Sequence, residues 1–308
     1  MKKKTINAVI CKKMDQWMSS IEDPEIRSMV AENTIVTGGC ISSMLLGEKV
    51  NDFDVYFTNR QTALAVANYY VNEFNNLPEI TTPVNGVDDS KTDRVSIKIE
   101  SAGVAKKGTP SDYEYFETVG GDSDQSQKVE SYLQNDTNIE QADQQKDDLG
   151  AFHPIFVSEN AIMLTGKVQL VFRFYGEPDD IHGFYDFVHC TNYWTSKDRK
   201  VVLRQDALES ILAKELRYVS SKYPICAIIR TRKFIGRGWT ITAGEYLKMC
   251  FAVSKLDLSD TDVLRDQLTG VDVAYFDRVI SAIENKKQSD PNFDISEGYL
   301  VSLIDKIF

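Results

Sequence analysis

The chain has 308 residues, room for two domains or for one large domain with a satellite. Hydrophobic residues make up 42% and aromatics 10%, which excludes a wholly disordered chain. Lys and Arg number 35 against 46 Asp and Glu, a formal net charge of −11, which excludes a uniformly basic nucleic-acid binder.

The charge is unevenly spread. Between Gly103 and Gly150, 11 acidic residues stand against 4 lysines, whereas between Arg204 and Trp239, 8 basic residues stand against 3 acidic ones. No apolar run approaches the ~18–20 residues of a membrane span, and no apolar core follows the basic Met1–Lys4 start. A soluble, cytoplasmic protein is therefore expected. Cys11, Cys40, Cys190, Cys226 and Cys250 are scattered without a CxxC spacing and read as free thiols. His153, His182 and His189 form no metal-ligand pair and read as structural.

In chain order, Ile10, Met14, Trp17, Met18 and Ile21 recur at helical spacing and predict a helix over 10–21. A second helix is expected over 24–32, with Asp23 as N-cap and Pro24 at N1. Thr34-Ile35-Val36-Thr37 predicts a strand ended by Gly38-Gly39, then a short helix over 41–46 closed by Gly47. A strand over 53–57, a helix over 60–74 and a strand over 95–100 follow. Residues 103–149 are rich in Asp, Gln, Ser, Asn and Gly and read as an acidic insertion, placed at 103–150, with an acidic partner-binding arm or nucleic-acid mimic as the alternative. Strands are expected over 154–157, 161–164, 168–174 and 184–189, with a turn at Gly166-Lys167. From Arg204 onward the patterns are helical: 206–220, 226–234, 243–253, 260–268, 273–285 and 297–307. This divides the chain into a mixed-sheet domain, 1–195, and a helical domain, 196–308.

The stretch that carries chemistry runs from Gly38 to Val55. Two glycines between a strand and a helix let a phosphate approach backbone N–H groups at a helix N-terminus, and Ser42 and Ser43 add hydroxyl donors. Asp52 and Asp54 alternate with Phe53, so at strand period both carboxylates share one face. Paired carboxylates repel unless a cation lies between them, and oxygen donors suit Mg²⁺ or Mn²⁺. Phosphates, a divalent ion and paired carboxylates are the apparatus of phosphoryl transfer.

The Gly-Gly turn, the short helix ending Leu45-Leu46-Gly47 and the Asp52-x-Asp54 strand resemble the nucleotidyltransferase superfamily, which includes DNA polymerase β, poly(A) polymerases and CCA-adding tRNA nucleotidyltransferases. The order Gln169 to Arg173, Gly176-Glu177-Pro178 and Phe184-Tyr185-Asp186-Phe187 resembles bacteriophage-encoded members in particular. The resemblance implies an α+β fold: a nucleotidyltransferase-like mixed sheet with flanking helices, plus a C-terminal helical domain closing over the nucleotide, with the active site in the cleft between them. It implies an enzyme that moves NMP from an NTP substrate to an acceptor, foremost an RNA 3′ end, in the host cytoplasm. It implies a third carboxylate from a later strand, for which Asp186 is preferred over Glu100; Asp52, Asp54 and Asp186 would hold the metal. Where CCA-adding enzymes carry Arg-Asp, this chain has Ser42-Ser43, and their later nucleotide-selecting motifs are not visible. The metal-dependent head carries over, and the substrate does not. Other acceptors (a protein, a small molecule or a tRNA in a toxin-like role) and a catalytically idle binding module are the alternatives.

The basic stretch Arg230, Arg232, Lys233 and Arg237, interleaved with Phe234 and Trp239, is a candidate triphosphate or RNA contact. Its structural alternative is a helix C-terminus ending at Gly236, where cations are favourable anyway. Lys214 and Arg217 are placed on the preceding helix, facing the same cleft. Asp206 reads as that helix's N-cap, and Tyr185, Tyr193 and Trp194 read as core packing.

Overall fold

In the computed structural model, which describes residues 1–77, 80, 84–90, 92, 94–99, 104–105, 152–260, 263, 267, 296 and 298, the run Thr34–Thr37 is a strand, β1. Two helices precede it. The first, α1 (Lys3–Ser20), starts seven residues before the expected 10–21, because Ile6 extends the buried stripe of Ile10, Met14 and Trp17 by one turn. The second, α2 (Pro24–Asn33), starts as expected: the Asp23 carboxylate accepts from the N–H groups of Glu25 at 2.8 Å and Ile26 at 3.1 Å. After β1 come α3 (Gly39–Leu46), β2 (Phe53–Phe57) and α4 (Arg60–Asn75).

A two-residue pair, β3 (Val87–Asp88) and β4 (Ser96–Ile97), occupies part of the strand expected over 95–100. The acidic insertion lies, apart from Val104 and Ala105, outside the described residues, as does Glu100. The strands β5 (Val104–Ala105), β6 (Pro154–Val157), β7 (Ala161–Leu164), β8 (Val168–Tyr175), β9 (Tyr193–Thr195) and β10 (Lys200–Val202) join β1 and β2 in one sheet of order β10-β9-β1-β2-β8-β7-β6-β5. All neighbours are antiparallel except β2 and β8, so the sheet is mixed. The α+β reading, a mixed sheet with flanking helices, is therefore the observed architecture.

Side-chain alternation gives the sheet two different faces. Val36, Phe53, Val55, Phe57, Leu170, Phe172 and Trp194 point to one face, where they join residues of α1 to α4 in the main core. Burying each such side chain contributes ~1.5–3 kcal/mol. Ile35, Tyr56 and Val171 point to the other face, into a small cluster with Ile181, Phe174, Tyr185 and Tyr193. Thr37, Asp54 and Gln169 share this second face by register.

Ile181 comes from a short helix, α5 (Pro178–His182). The expected strand over 184–189 does not form. Phe187 and His189 are buried there at strand spacing, although buried Asp186 breaks the alternation. The backbone, however, bonds locally: Phe184 N–H to Ile181, Tyr185 to His182, Cys190 to Phe187 and Thr191 to Val188. These bonds make a turn followed by a 3-10 helix, Val188–Cys190, and pairing with another segment is limited to an isolated bridge, Phe187 with Tyr218.

The described residues fall into two compact units divided between Val219 and Ser220, not at 195/196. The sheet unit continues because β10 returns antiparallel on β9 and Tyr218 bridges Phe187. It includes α6 (Gln205–Ala213), which ends seven residues before the expected Ser220: Lys214 turns left-handed at φ +47°. The N-cap of α6 is Arg204, with Asp206 in the first turn. The described part of the second unit is mainly helical: α7 (Pro224–Gly236) and α8 (Ala243–Val253), the latter as expected. The helices expected over 260–268, 273–285 and 297–307 lie almost wholly outside the described residues. No described helix is long and apolar enough to cross a membrane.

Candidate active site

The sheet brings the two halves of the Gly38–Asp54 motif together. Thr37, at the end of β1, is the register partner of Asp54 on β2. The chain then turns through Gly38, at φ +85° and ψ −153°, into α3. A Cβ at Gly38 would run into the Asp54 carboxylate, 3.3 Å from its Cγ. Glycine is therefore required twice over, by the positive φ and by the close carboxylate. At Gly39, the first residue of α3, a Cβ would meet nothing within 4 Å.

Asp52, just before β2, and Asp54 are both half-buried. Both act on the same buried thiol in the first turn of α3: burial first, then Asp54 and Asp52, push Cys40 well above the ordinary cysteine range. Burial and both carboxylates thus favour the neutral thiol at Cys40. Burial first, then Tyr56 and Asp54, likewise push the Tyr185 phenol up. The two carboxylates therefore face the start of α3, where the sequence pattern places the phosphates, and their oxygen donors fit a hard divalent cation.

The expected third carboxylate does not come from a strand. Asp186 is buried in the turn between α5 and the 3-10 helix, its carbonyl accepting the Val219 N–H at 2.8 Å, and lies on no strand. Among the described residues, no three His, Cys, Asp or Glu side chains are grouped to hold a metal. The β8 residue in register with Asp54 is a buried amide, Gln169.

The hydroxyl of buried Ser42 donates to the His189 carbonyl at 2.5 Å, which ties α3 to the 3-10 helix. Ser43 is half-exposed on the same helix. Lys214 and Arg217 are not on a helix. Lys214 pairs with Glu48 at 3.5 Å, and Arg217 lies between Glu209 at 3.0 Å and Glu215 at 3.3 Å. Arg230, Arg232 and Lys233 are on α7 of the second unit, and Arg237 is its C-cap. Arg230, Lys233 and Arg237, at i, i+3 and i+7, share one stripe, with Arg232 on the other side. Trp239 is buried and edge-on to Phe234 at 5.9 Å, so it is a core residue and no exposed stacking platform. Arg237 lies over the Phe234 ring at 5.8 Å.

Sequence reasoning missed the residues that brace the turn. The Thr37 hydroxyl lies 2.8 Å from His182 Nε2, 2.9 Å from the Asn192 carbonyl and 3.2 Å from that of Cys190. Gly38 N–H also donates to the Cys190 carbonyl, at 3.2 Å. A polar residue at the end of a β-branched strand was the one local signal, since His182 is 145 positions away.

A family model described as Gabija anti-defense 2 family protein matches residues 8–214, two thirds of the chain and all of this site. The chain belongs to the Gabija anti-defense 2 family. A curated relative in that family, Gabija anti-defense 2 of Bacillus phage SPbetaL7, is 23% identical over 143 residues, 46% of this chain. The aligned part spans a third of that relative's length (33%). Among solved structures, the chain aligns with a Thermotoga maritima CCA-adding enzyme complexed with tRNA at 13% identity and a TM-score of 0.37, over 92% of this chain and 57% of that one. A tRNA-processing enzyme in an apo form aligns at 13% identity and a TM-score of 0.39, over 94% and 61%.

Proposed function

We propose that this member of the Gabija anti-defense 2 family is a metal-dependent, template-independent nucleotidyltransferase, which a phage directs against a bacterial defence system by adding NMP to an RNA 3′ end. The observation that carries the reading is the corner at Gly38: a positive-φ glycine at a helix N-terminus lies against the carboxylate of an Asp-x-Asp strand. Bound at Asp52 and Asp54, Mg²⁺ or Mn²⁺ would lower the pKa of the attacking hydroxyl and neutralise charge on the triphosphate.

The chain's own residues supply the rest. The backbone at Gly39 and the N-terminus of α3 receive phosphate oxygens, the Gly38 N–H being held by the Cys190 carbonyl. Gly39 leaves the approach open, since nothing lies within 4 Å of where its Cβ would be. Asp52 and Asp54 fix where positive charge concentrates. The acceptor oxygen forms a bond to the α-phosphorus, the bond to the bridging oxygen breaks, pyrophosphate leaves, and the hydroxyl proton passes to solvent. The stripe of Arg230, Lys233 and Arg237 supports a polyanionic substrate.

One observation favours a second reading. An amide, Gln169, stands beside Asp54 where another strand carboxylate would complete the site, which suits a module that binds nucleotide without turning it over. Incubation with each labelled NTP, Mg²⁺ and total bacterial RNA separates the two. Transfer of label to RNA with release of pyrophosphate is expected. Retention of nucleotide with no pyrophosphate would establish the second reading in its place.

A further inference from the structure

The bracing of the Gly38 turn contains a small piece of hydrogen-bond arithmetic. Thr37 Oγ1 touches three polar atoms: His182 Nε2 at 2.8 Å, the Asn192 carbonyl at 2.9 Å and the Cys190 carbonyl at 3.2 Å. A hydroxyl has one proton, and carbonyls can only accept. The proton therefore goes to the carbonyls, with Asn192 the nearer. Thr37 Oγ1 must then accept from His182, which fixes the ring as the Nε2–H tautomer with Nδ1 bare. Nδ1 is buried with no hydrogen-bond partner among the described residues, where the ring bonds to Thr37.

The ring is also held in place. It is 3% exposed and packs against Tyr185 at 5.2 Å and Tyr193 at 5.7 Å, both in the cluster on the Asp54 face of the sheet. The Cys190 carbonyl that faces Thr37 also accepts the N–H of Gly38. The bracing thus ends on the residue that lies against Asp54.

From this geometry we infer that Thr37 and His182 are positioning residues: their hydrogen bond sets the end of β1, and through it the spacing between the Gly38 turn and the Asp54 carboxylate. Neither touches substrate. The inference rests on reading that corner as the site of nucleotidyl transfer. A purely structural pair would stabilise the fold and leave chemistry alone; a positioning pair acts on turnover in molecules that remain folded.

The test is Mg²⁺-dependent pyrophosphate release, resolved into kcat, KM for NTP and the Mg²⁺ needed for half-activation. It uses wild type, Thr37→Val, Thr37→Ser, His182→Phe and Asp54→Asn, each confirmed as folded by thermal unfolding. Thr37→Val and His182→Phe are expected to lower kcat or raise the Mg²⁺ requirement about 10–100-fold, as loss of an outer-shell partner does, with KM for NTP changed far less. Thr37→Ser, which keeps the hydroxyl, is expected to restore most of the loss. Wild-type kcat and Mg²⁺ requirement in folded Thr37→Val and His182→Phe would overturn the inference while leaving the site reading intact. Full activity in Asp54→Asn would overturn the site reading itself. Should the variants not fold, nitrogen-15 NMR of the wild-type histidines tests the bond itself: a protonated Nε2 and bare Nδ1 at His182 are expected, and the opposite tautomer overturns the inference.

Discussion

Asp54 and Asp186 are both carboxylates beside aromatic residues in the first unit, but different backbone devices hold them. Asp54 lies inside a ladder, with Thr37 on one side and Gln169 on the other, so its direction is set by sheet register. Asp186 follows a turn closed by bonds within three residues, and its own carbonyl accepts from Val219. A ladder fixes a side chain by register with a strand on each side; beside Asp186 a turn meets a single isolated bridge, Phe187 with Tyr218. A site that gathers groups from several segments is therefore built on the first device, and Asp54 is where the Gly38 turn meets the sheet.

The largest expected effects break or sharpen this contrast directly. Asp54→Asn and Asp52→Asn should reduce nucleotidyl transfer to background, with stability unchanged or raised, because neutralisation relieves the repulsion between the two carboxylates. Asp186→Asn should leave turnover measurable and within about an order of magnitude of wild type, since Asp186 lies on no strand beside Asp54. Steady-state pyrophosphate release on the three variants checks this, and equal loss in all three would erase the distinction.

The two glycines sharpen it further. Gly38→Ala forces a Cβ into the Asp54 carboxylate at a left-handed φ and should cost at least ~1–2 kcal/mol from the backbone strain alone. Gly39→Ala has free space and no positive φ, and should be neutral or stabilising by up to ~1 kcal/mol. A raised KM for NTP in the stable Gly39→Ala variant would mark that backbone as the phosphate approach. Unchanged kinetics would show that the phosphates lie elsewhere. Chemical denaturation and NTP titration provide both readings.

How much of this corner was legible in sequence follows from the range of the forces involved. The β-branched Thr34–Thr37, the glycines and Asp52-Phe53-Asp54 carry their signals within a few residues, and β1, α3 and β2 fall where those residues place them. The end of α6 was illegible because Lys214, a lysine, adopts the left-handed conformation that ordinarily marks glycine. Its neighbourhood is settled instead by Ser210, whose hydroxyl donates to the Glu215 carbonyl at 2.5 Å. The 184–190 segment buries Phe187 and His189 at strand spacing, but spacing reports burial and not hydrogen-bond partners. The Thr37–His182 bond joins residues 145 positions apart and leaves no local mark at His182.

Smaller effects follow from the charges. The His182 imidazole is pushed down to about 4, by burial first and then by Arg204, with Asp179 acting the other way. Between about pH 6.5 and 4 the unfolded chain holds this proton and the folded chain does not, so stability falls with acidification. The contribution is complete above pH ~6.5 and declines by ~1.4 kcal/mol per unit below it, to a total of ~3–4 kcal/mol. Denaturant titrations of wild type and His182→Phe at several pH values isolate it, because every other titratable group is present in both. Identical slopes would mean that the imidazole is not buried neutral.

The smallest effect concerns the second unit. Alanine at Arg230, Lys233 or Arg237 should weaken RNA binding and reduce the log–log salt slope by ~0.7 per lost contact, while Arg232→Ala, on the other side of α7, should change it less. Equal slopes across all four would remove the stripe from the substrate path. The substitutions would then cost only the ~0.3–1 kcal/mol of a helix C-terminus.

The measurement closest to the central claim needs no acceptor. Mn²⁺ titration by electron paramagnetic resonance, with a non-hydrolysable NTP present, reports directly on whether the Gly38–Asp54 corner holds a metal and a triphosphate together. Wild type and Asp186→Asn should bind Mn²⁺ alike, and Asp54→Asn should lose the nucleotide-dependent site. Unaltered binding in Asp54→Asn, or its loss in Asp186→Asn alone, would contradict the assignment of this corner as the site.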